Sequence, residues 1–174
     1  NTIITEISKA NDKLTKSELT ALGNNAFEKG SKYGKRASDF LAGIQEASRA
    51  GYTNANEIAE TSVLAQSAGD MTADLANKYL IATDAAYKYK GEISKLNEVL
   101  DGQNYITNHN SVAMADMAEA TTIAGSMAAE YRVKIDEFSA MIGTLEATNK
   151  LGGNENGTAA KAFFTNLQNV NSSK

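Results

Sequence analysis

The sequence predicts an all-α fold of about eight or nine short helices in stacked helical hairpins, with no β-sheet. Three observations predict it. The stretch from Gly69 to Ile142 carries one helix–turn–helix unit written twice. No segment shows the strict apolar alternation of a strand. The 174 residues contain no proline, and the breaks between apolar stripes fall instead at Gly and Asn.

The doubled unit is an internal repeat of 42 residues, since Asp74-Leu75-Ala76 matches Asp116-Met117-Ala118 at that offset. The same offset pairs Ala82 with Ala124, Tyr89 with Tyr131, Ile93 with Ile135, Leu96 with Phe138, Val99 with Met141, and Leu100 with Ile142. Positions 93, 96, 99 and 100 fall on one helix face, as do 135, 138, 141 and 142. A fainter copy lies 56 residues upstream, pairing Glu18-Leu19 with Asp74-Leu75, Tyr33 with Tyr89, Phe40 with Leu96, and Ile44 with Leu100. Its 14 extra residues leave room for one more helix, over Asn56–Ala68. Repeats of this size bury their apolar stripes by stacking on their neighbours.

In chain order, Ile3, Ile4 and Ile7 make residues 1–14 a helical lead-in. A helical core module spans 15–170, and 171–174 form a frayed tail. Thr15-Lys16-Ser17-Glu18 has capping-box spacing and opens a helix carrying Leu19, Leu22, Ala26 and Phe27 inward, which ends near Gly30–Gly34. The next covers Ala37–Ala50, with Gly51 just past its end. Thr53 or Asn54 caps a third helix, which stops at Gly69, and Thr72 caps the fourth. Gly91 precedes the helix of Ile93, Leu96, Val99 and Leu100, which runs on through Asp101-Gly102 to Ile106 or kinks there. Asn108–Ser111 is a polar break, with Ser111 as the next N-cap. Tyr131–Lys134 is a turn before the helix Ile135–Thr148. Gly152–Gly157 is the clearest loop in the chain. Thr158–Val170 closes the module through Ala162, Phe163, Phe164, Leu167 and Val170.

Composition excludes several function classes. A net charge of −4, from 17 basic and 21 acidic residues, argues against a nucleic-acid binder, which needs clustered cations. The one basic cluster, Lys29, Lys32, Lys35 and Arg36, surrounds Tyr33 at a helix end, where cations face the dipole favourably. No run of 18 apolar residues exists to span a membrane. Without cysteine there is no disulfide and no thiolate metal site. The first residue is Asn1 with no signal-like stretch after it, so the chain is expected to be a piece of a longer protein.

Nothing in the sequence points to catalysis, a cofactor, a metal or a small-molecule ligand. A metal site needs several convergent ligands, and His109, the single histidine, lies in the polar break. Any Ser-His-Asp set would need that same histidine, and no nucleophile elbow accompanies it. Glu57/Glu60 and Asp136/Glu137 stand in first turns, where acids complement the helix dipole. Gly152–Thr158 lacks the lysine and the preceding strand of a phosphate loop.

One ordered set of motifs is nevertheless specific. Ala47-Ser48-Arg49-Ala50-Gly51-Tyr52 is followed by Ala55 and Glu57-Ile58-Ala59, and Ala68-Gly69-Asp70-Met71 leads into Ala73-Asp74-Leu75-Ala76. Asn110-Ser111-Val112 leads to Asp116-Met117-Ala118-Glu119-Ala120, then come Ile135-Asp136-Glu137-Phe138 and Met141-Ile142. Last is Gly153…Gly157-Thr158-Ala159…Lys161…Phe164…Leu167. From about Glu18 to Val170 this resembles the core region of phage tail tape-measure proteins, in the minor-tail-protein form of long-tailed phages and prophages. The family often has Ser or Thr where Arg36, Glu92 and Lys134 start second helices of units. Of the motif residues, Gly51, Tyr52, Gly69, Asp74, Leu75, Leu96, Ser111, Asp116, Met117, Phe138, Gly153, Gly157, Thr158, Phe164 and Leu167 carry the resemblance.

The resemblance implies a non-enzymatic virion structural protein of the tail, assembled in the bacterial cytoplasm and acting in tail assembly, length determination and genome delivery. Its implied partners are tail-tube subunits, tail assembly chaperones and other tail proteins. The alternative is a cellular helical-hairpin adaptor that binds a partner helix in a groove. Interruption by Gly, Asn and caps every dozen or so residues predicts a folded module, with a radius of gyration of roughly 16 Å, rather than an extended ruler.

Overall fold

A computed structural model of the chain describes residues 4–5 and 15–172. Across residues 15–172 eight helices follow one another: α1 Lys16–Lys32, α2 Ala37–Arg49, α3 Ala55–Gly69, α4 Ala73–Tyr87, α5 Ile93–Asn110, α6 Met114–Glu130, α7 Ile135–Asn149 and α8 Gly153–Ser172. No strand occurs among the described residues, so the architecture is all-α. Of the lead-in only Ile4 and Thr5 are described, and Ile4 packs on the core. Of the tail, residues 171–172 belong to α8 and 173–174 lie outside the described residues.

Two layers result from which helices touch. The odd-numbered helices stack α1 on α3 on α5 on α7, and the even-numbered ones α2 on α4 on α6 on α8. Each helix also packs on its neighbours in sequence, so one continuous core runs from Ala26 to Phe164 between the layers. This is the quasi-one-dimensional stacking of a helical solenoid. Helices α5 and α7 start 42 residues apart, while α4 and α6 start 41 apart. Leu96 and Phe138, the equivalent residues of the odd layer, are both fully buried.

Local chemistry explains most helix ends. The Thr15 hydroxyl accepts from the Glu18 N–H, and the Glu18 carboxylate accepts from the Thr15 N–H at 2.6 Å, completing the capping box. Gly51, at φ +89°, donates to the Ser48 carbonyl while Tyr52 donates to Ala47, the paired bonds of a Schellman end. Thr72 caps α4 through the Leu75 N–H. Arg36, Glu92 and Lys134 do stand at N-cap positions and make no side-chain cap. At Arg36 and Lys134 the carboxylates of Asp39 and Glu137 reach back to the cap N–H instead.

Several expectations are corrected. Asn54 precedes α3 without capping it, because its amide donates across the fold to the Gly91 carbonyl at 2.9 Å. Ser111 is not an N-cap. It ends α5 in the left-handed region at φ 54°, and Ala113 stands before α6. Accordingly 108–110, with His109, are helical rather than a break, and α5 passes through Gly102 unbroken. The expected loop at 152–157 is the entry of α8, whose first residue is Gly153. Phe27 points outward and is 69 % exposed, since it sits about 100° around α1 from the buried Ala26. On α8, Phe164 is buried, but Ala162, Phe163 and Leu167 are exposed.

Candidate functional site

The residues singled out by sequence do not converge on one pocket. They are fasteners distributed along the stack. Leu96, Met117, Phe138 and Phe164 are buried in the interlayer core, and Leu75 packs against its edge. A Cβ on Gly69 would overlap the Met71 and Met114 side chains, so the glycine lets the α3 end approach α6. Asp74 and Thr158 are exposed, and Asp74 pairs with Lys78 one turn on.

Gly153 and Gly157 have a purpose that turn chemistry does not suggest. A Cβ on Gly153 would overlap the Asp116 backbone, and one on Gly157 would stand 2.8 Å from the Ala120 Cα. The glycines therefore let α8 lie directly on α6, whose Ala120, Ala124 and Ala128 are fully buried. Asp116 completes this contact. Its carboxylate accepts the Gly153 N–H at 3.1 Å, one of the donors left open at the helix start. Farther along, Phe164 stacks on Tyr131 with ring centroids 5.8 Å apart.

Besides the buried Ser62, Gln66 and Asn77 set that joins α3 to α4, three polar knots lie inside the stack. Gln103 of α5, buried, accepts from the Tyr79 hydroxyl at 2.8 Å and donates to Thr121 at 3.1 Å and Ser139 at 2.8 Å. Those two hydroxyls pass their own protons to the carbonyls of Met117 and Ile135. One amide thereby ties α4, α5, α6 and α7 together with every hydrogen-bonding group satisfied. Burial holds the Tyr79 phenol well above its ordinary pKa.

Asp84, buried in the last turn of α4, accepts from the Tyr52 hydroxyl at 2.6 Å and from the Gly91 N–H at 2.7 Å. Its carbonyl takes the Lys88 and Tyr89 N–H groups. An acid at a helix C-terminus opposes the dipole. Here it closes the α4–α5 turn and anchors the α2–α3 loop. Burial first, and then the Asp84 carboxylate, push the Tyr52 phenol up.

Glu146, Asn149 and Asn156 form the third knot, between α7 and α8. Glu146 accepts from the Gly152 N–H at 2.8 Å and from the Asn156 amide. Asn149 and Asn156 exchange amide bonds of 2.7 and 3.0 Å. On the outside, Glu60 is clamped by Lys29 at 2.7 Å, Lys32 at 3.0 Å and the Tyr33 hydroxyl at 3.2 Å, joining α1 to α3. The Lys29 contact foremost holds the Glu60 carboxyl below its usual pKa.

Sequence reasoning missed Gln103, Asp84, Glu146 and Asn156, and read Glu60 only as a complement to the helix dipole. Two signals were present: Gln103 continues the Leu96, Val99, Leu100 stripe at i+7, and Asp84 is an acid in a last turn. The pairing of Glu57 with Glu60 as dipole complements holds for Glu57 in the first turn of α3, while Glu60 lies beyond it.

No three His, Cys, Asp or Glu side chains gather to hold a metal among the described residues, and no helix there is long and apolar enough to cross a membrane. The His109 ring lies tilted against Tyr105 with centroids 3.9 Å apart, and its Nδ1 bonds the Tyr105 carbonyl. Open hollows of about 210 Å³ beside Glu57, Leu64 and Asn97, and about 560 Å³ between Lys88 and Arg132, gather no catalytic set. The arrangement is equipped to stack and to fasten.

A family model described as phage-related minor tail protein matches residues 4–174. No curated protein and no solved structure matches the chain.

Proposed function

Because the chain belongs to the phage-related minor tail protein family, a structural component of the tail, we propose that it is the folded core module of a tail tape-measure protein. It is non-enzymatic, joins other tail proteins during assembly in the host cytoplasm, and contributes to length determination and genome delivery. Tail-tube subunits and assembly chaperones are its partners. The observation that carries this reading is the family match across the whole stack. The shared order of motifs from Gly51 to Leu167 supports the tape-measure form over a cellular adaptor.

The stack bears on how such a module works. A continuous helix rises about 1.5 Å per residue, but among the described residues no helix exceeds the 20 of α8. The module is folded back on itself seven times over its eight helices, so length is measured by helical segments outside it. The fasteners suit a unit that keeps its shape while other parts of the tail assemble.

The test is an in-frame deletion of Thr72–Ala113 in the parent phage, with tail length read by electron microscopy. The deletion removes α4 and α5 as a pair and leaves α6 to follow α3. Tails of unchanged length, or no tails at all, are the expected results. Shortening by about 63 Å, the rise of 42 helical residues, would overturn the folded-module reading. Virions normal in number, length and infectivity would overturn the tape-measure assignment.

A further inference from the structure

We propose that Asn156-Gly157 is a deamidation site, closed while α8 is docked on α6 and α7 and reactive once α8 parts from them, and that its conversion keeps α8 from docking again. It is the only Asn-Gly step in the chain. In a backbone free to rearrange, such a step reacts with itself. The Gly157 nitrogen gives up its proton and bonds to the Asn156 side-chain carbon Cγ, and the Asn156 Nδ2 leaves as ammonia. The cyclic imide that results takes up one water at either carbonyl and opens to aspartate or to isoaspartate. Glycine favours the attack because no Cβ stands beside its nitrogen.

Docked α8 blocks each part of that step. Residues 156 and 157 lie within the helix, where Gly157 gives its N–H to the carbonyl four residues back. The α-helical ψ also turns its nitrogen away from Cγ. The Asn156 side chain is held as well. It is 1 % exposed, its amide donates to Glu146 and Asn149, and its oxygen accepts from Asn149 at 2.7 Å. Gly157 is buried beside it, against Ala120.

The same knot makes the change one-way. Glu146 receives the Gly152 N–H on one oxygen and the Asn156 amide on the other. After conversion residue 156 carries a carboxylate where that amide stood. Two acids and the Asn149 oxygen then face one another out of water, and like charges buried together are costly. Asn149 cannot turn its amide round to help without giving up the Leu151 N–H that its oxygen now accepts. Isoaspartate adds a further obstacle, because it lengthens the main chain by one carbon. It does so where α8 lies so near α6 that a Cβ at 153 or 157 would overlap the Asp116 backbone or crowd Ala120. A stack opened once at α8 thus keeps a permanent mark and stays open there.

The test incubates the whole chain at mildly alkaline pH as wild type, as Gly153→Ala and as wild type in unfolding urea, with residue 156 followed by peptide mass spectrometry. Wild type is expected to convert roughly tenfold or more slowly than the unfolded chain, and Gly153→Ala, which weakens the α8–α6 contact, roughly tenfold faster than wild type. Converted chain is separated by its added negative charge and returned to native conditions. It is expected to lose amide-exchange protection across α8 and to keep it in α2–α4. Asn156→Asp should reproduce that loss, and Glu146→Gln added to it should restore part of the protection, since an amide at 146 can donate to the new carboxylate. Equal conversion in the native and unfolded chains would overturn the proposal, as would no detectable conversion in urea. So would a converted chain that regains native protection in α8, or one that loses protection throughout the stack.

Discussion

The Tyr79 hydroxyl donates to Gln103 across 2.8 Å inside the stack, and neither residue reaches solvent. Removing one partner leaves the other buried and unsatisfied, which costs about 1–3 kcal/mol. Tyr79→Phe orphans the Gln103 oxygen. Gln103→Leu orphans only the Tyr79 hydroxyl, because Thr121 and Ser139 keep their own carbonyl acceptors. The double variant removes both halves. It is expected to be less destabilised than the sum of the single variants, by about 1 kcal/mol in a urea double-mutant cycle. Additive losses would mean that the bond contributes nothing to the stack.

Glycines in helices divide into two kinds with opposite predictions. Gly102 lies exposed within α5 with nothing within 4 Å of where a Cβ would go. Gly102→Ala is expected to stabilise by about 0.5–1 kcal/mol through backbone entropy and helix propensity. Gly153 faces the Asp116 backbone, which cannot move aside without parting α8 from α6. Gly153→Ala is expected to destabilise by about 2 kcal/mol or more. Urea midpoints that shift in opposite directions at constant slope check both.

The same glycines mark where sequence reasoning reached its limit. The odd helices were legible because Leu96 and Phe138 repeat an apolar stripe, and the α2 end because Gly51 follows it. Gly152–Gly157 reads as a loop, since glycine answers both a turn and a close helix contact, and only tertiary structure chooses. Ser111 fits an N-cap by type. The chain instead needs a left-handed residue there, as it does at Asp70, Lys88 and Lys150, all non-glycine helix ends. The polar knots were hidden because Gln103 and Asp84 find their partners 24 and 32 residues away.

Glu60 makes the α1–α3 contact dependent on pH. Its folded pKa is lowered from 4.5, foremost by Lys29. A carboxyl with a depressed folded pKa contributes stability that is present above the unfolded value and lost as pH falls through the folded one. Wild type is therefore expected to exceed Glu60→Gln in thermal midpoint at pH 6, by the equivalent of about 0.5–1 kcal/mol for a partly exposed network. The gap closes below about pH 4.5. A constant gap from pH 6 to 3 would show that the clamp acts through packing alone.

Two tyrosines of one end of the stack should respond oppositely to losing a hydroxyl. The Tyr52 hydroxyl donates to the buried Asp84 carboxylate at 2.6 Å, so Tyr52→Phe withdraws a donor from a charge. That is expected to cost about 1.5–3 kcal/mol. The Tyr87 hydroxyl is buried with no hydrogen-bond partner, and its ring stacks on Tyr89 with centroids 6.0 Å apart. Tyr87→Phe keeps the ring and removes the orphan, so stability should hold or rise by up to about 1 kcal/mol. Burial also lifts the Tyr87 phenol from 10.0 to about 12. A raised phenol contributes stability that is whole below pH 10 and lost as pH climbs toward 12. Tyr87→Phe should therefore lose stability less steeply than wild type over that window. Equal slopes between pH 10 and 12, or a loss above 1 kcal/mol at neutral pH, would mean that the Tyr87 hydroxyl has a partner after all.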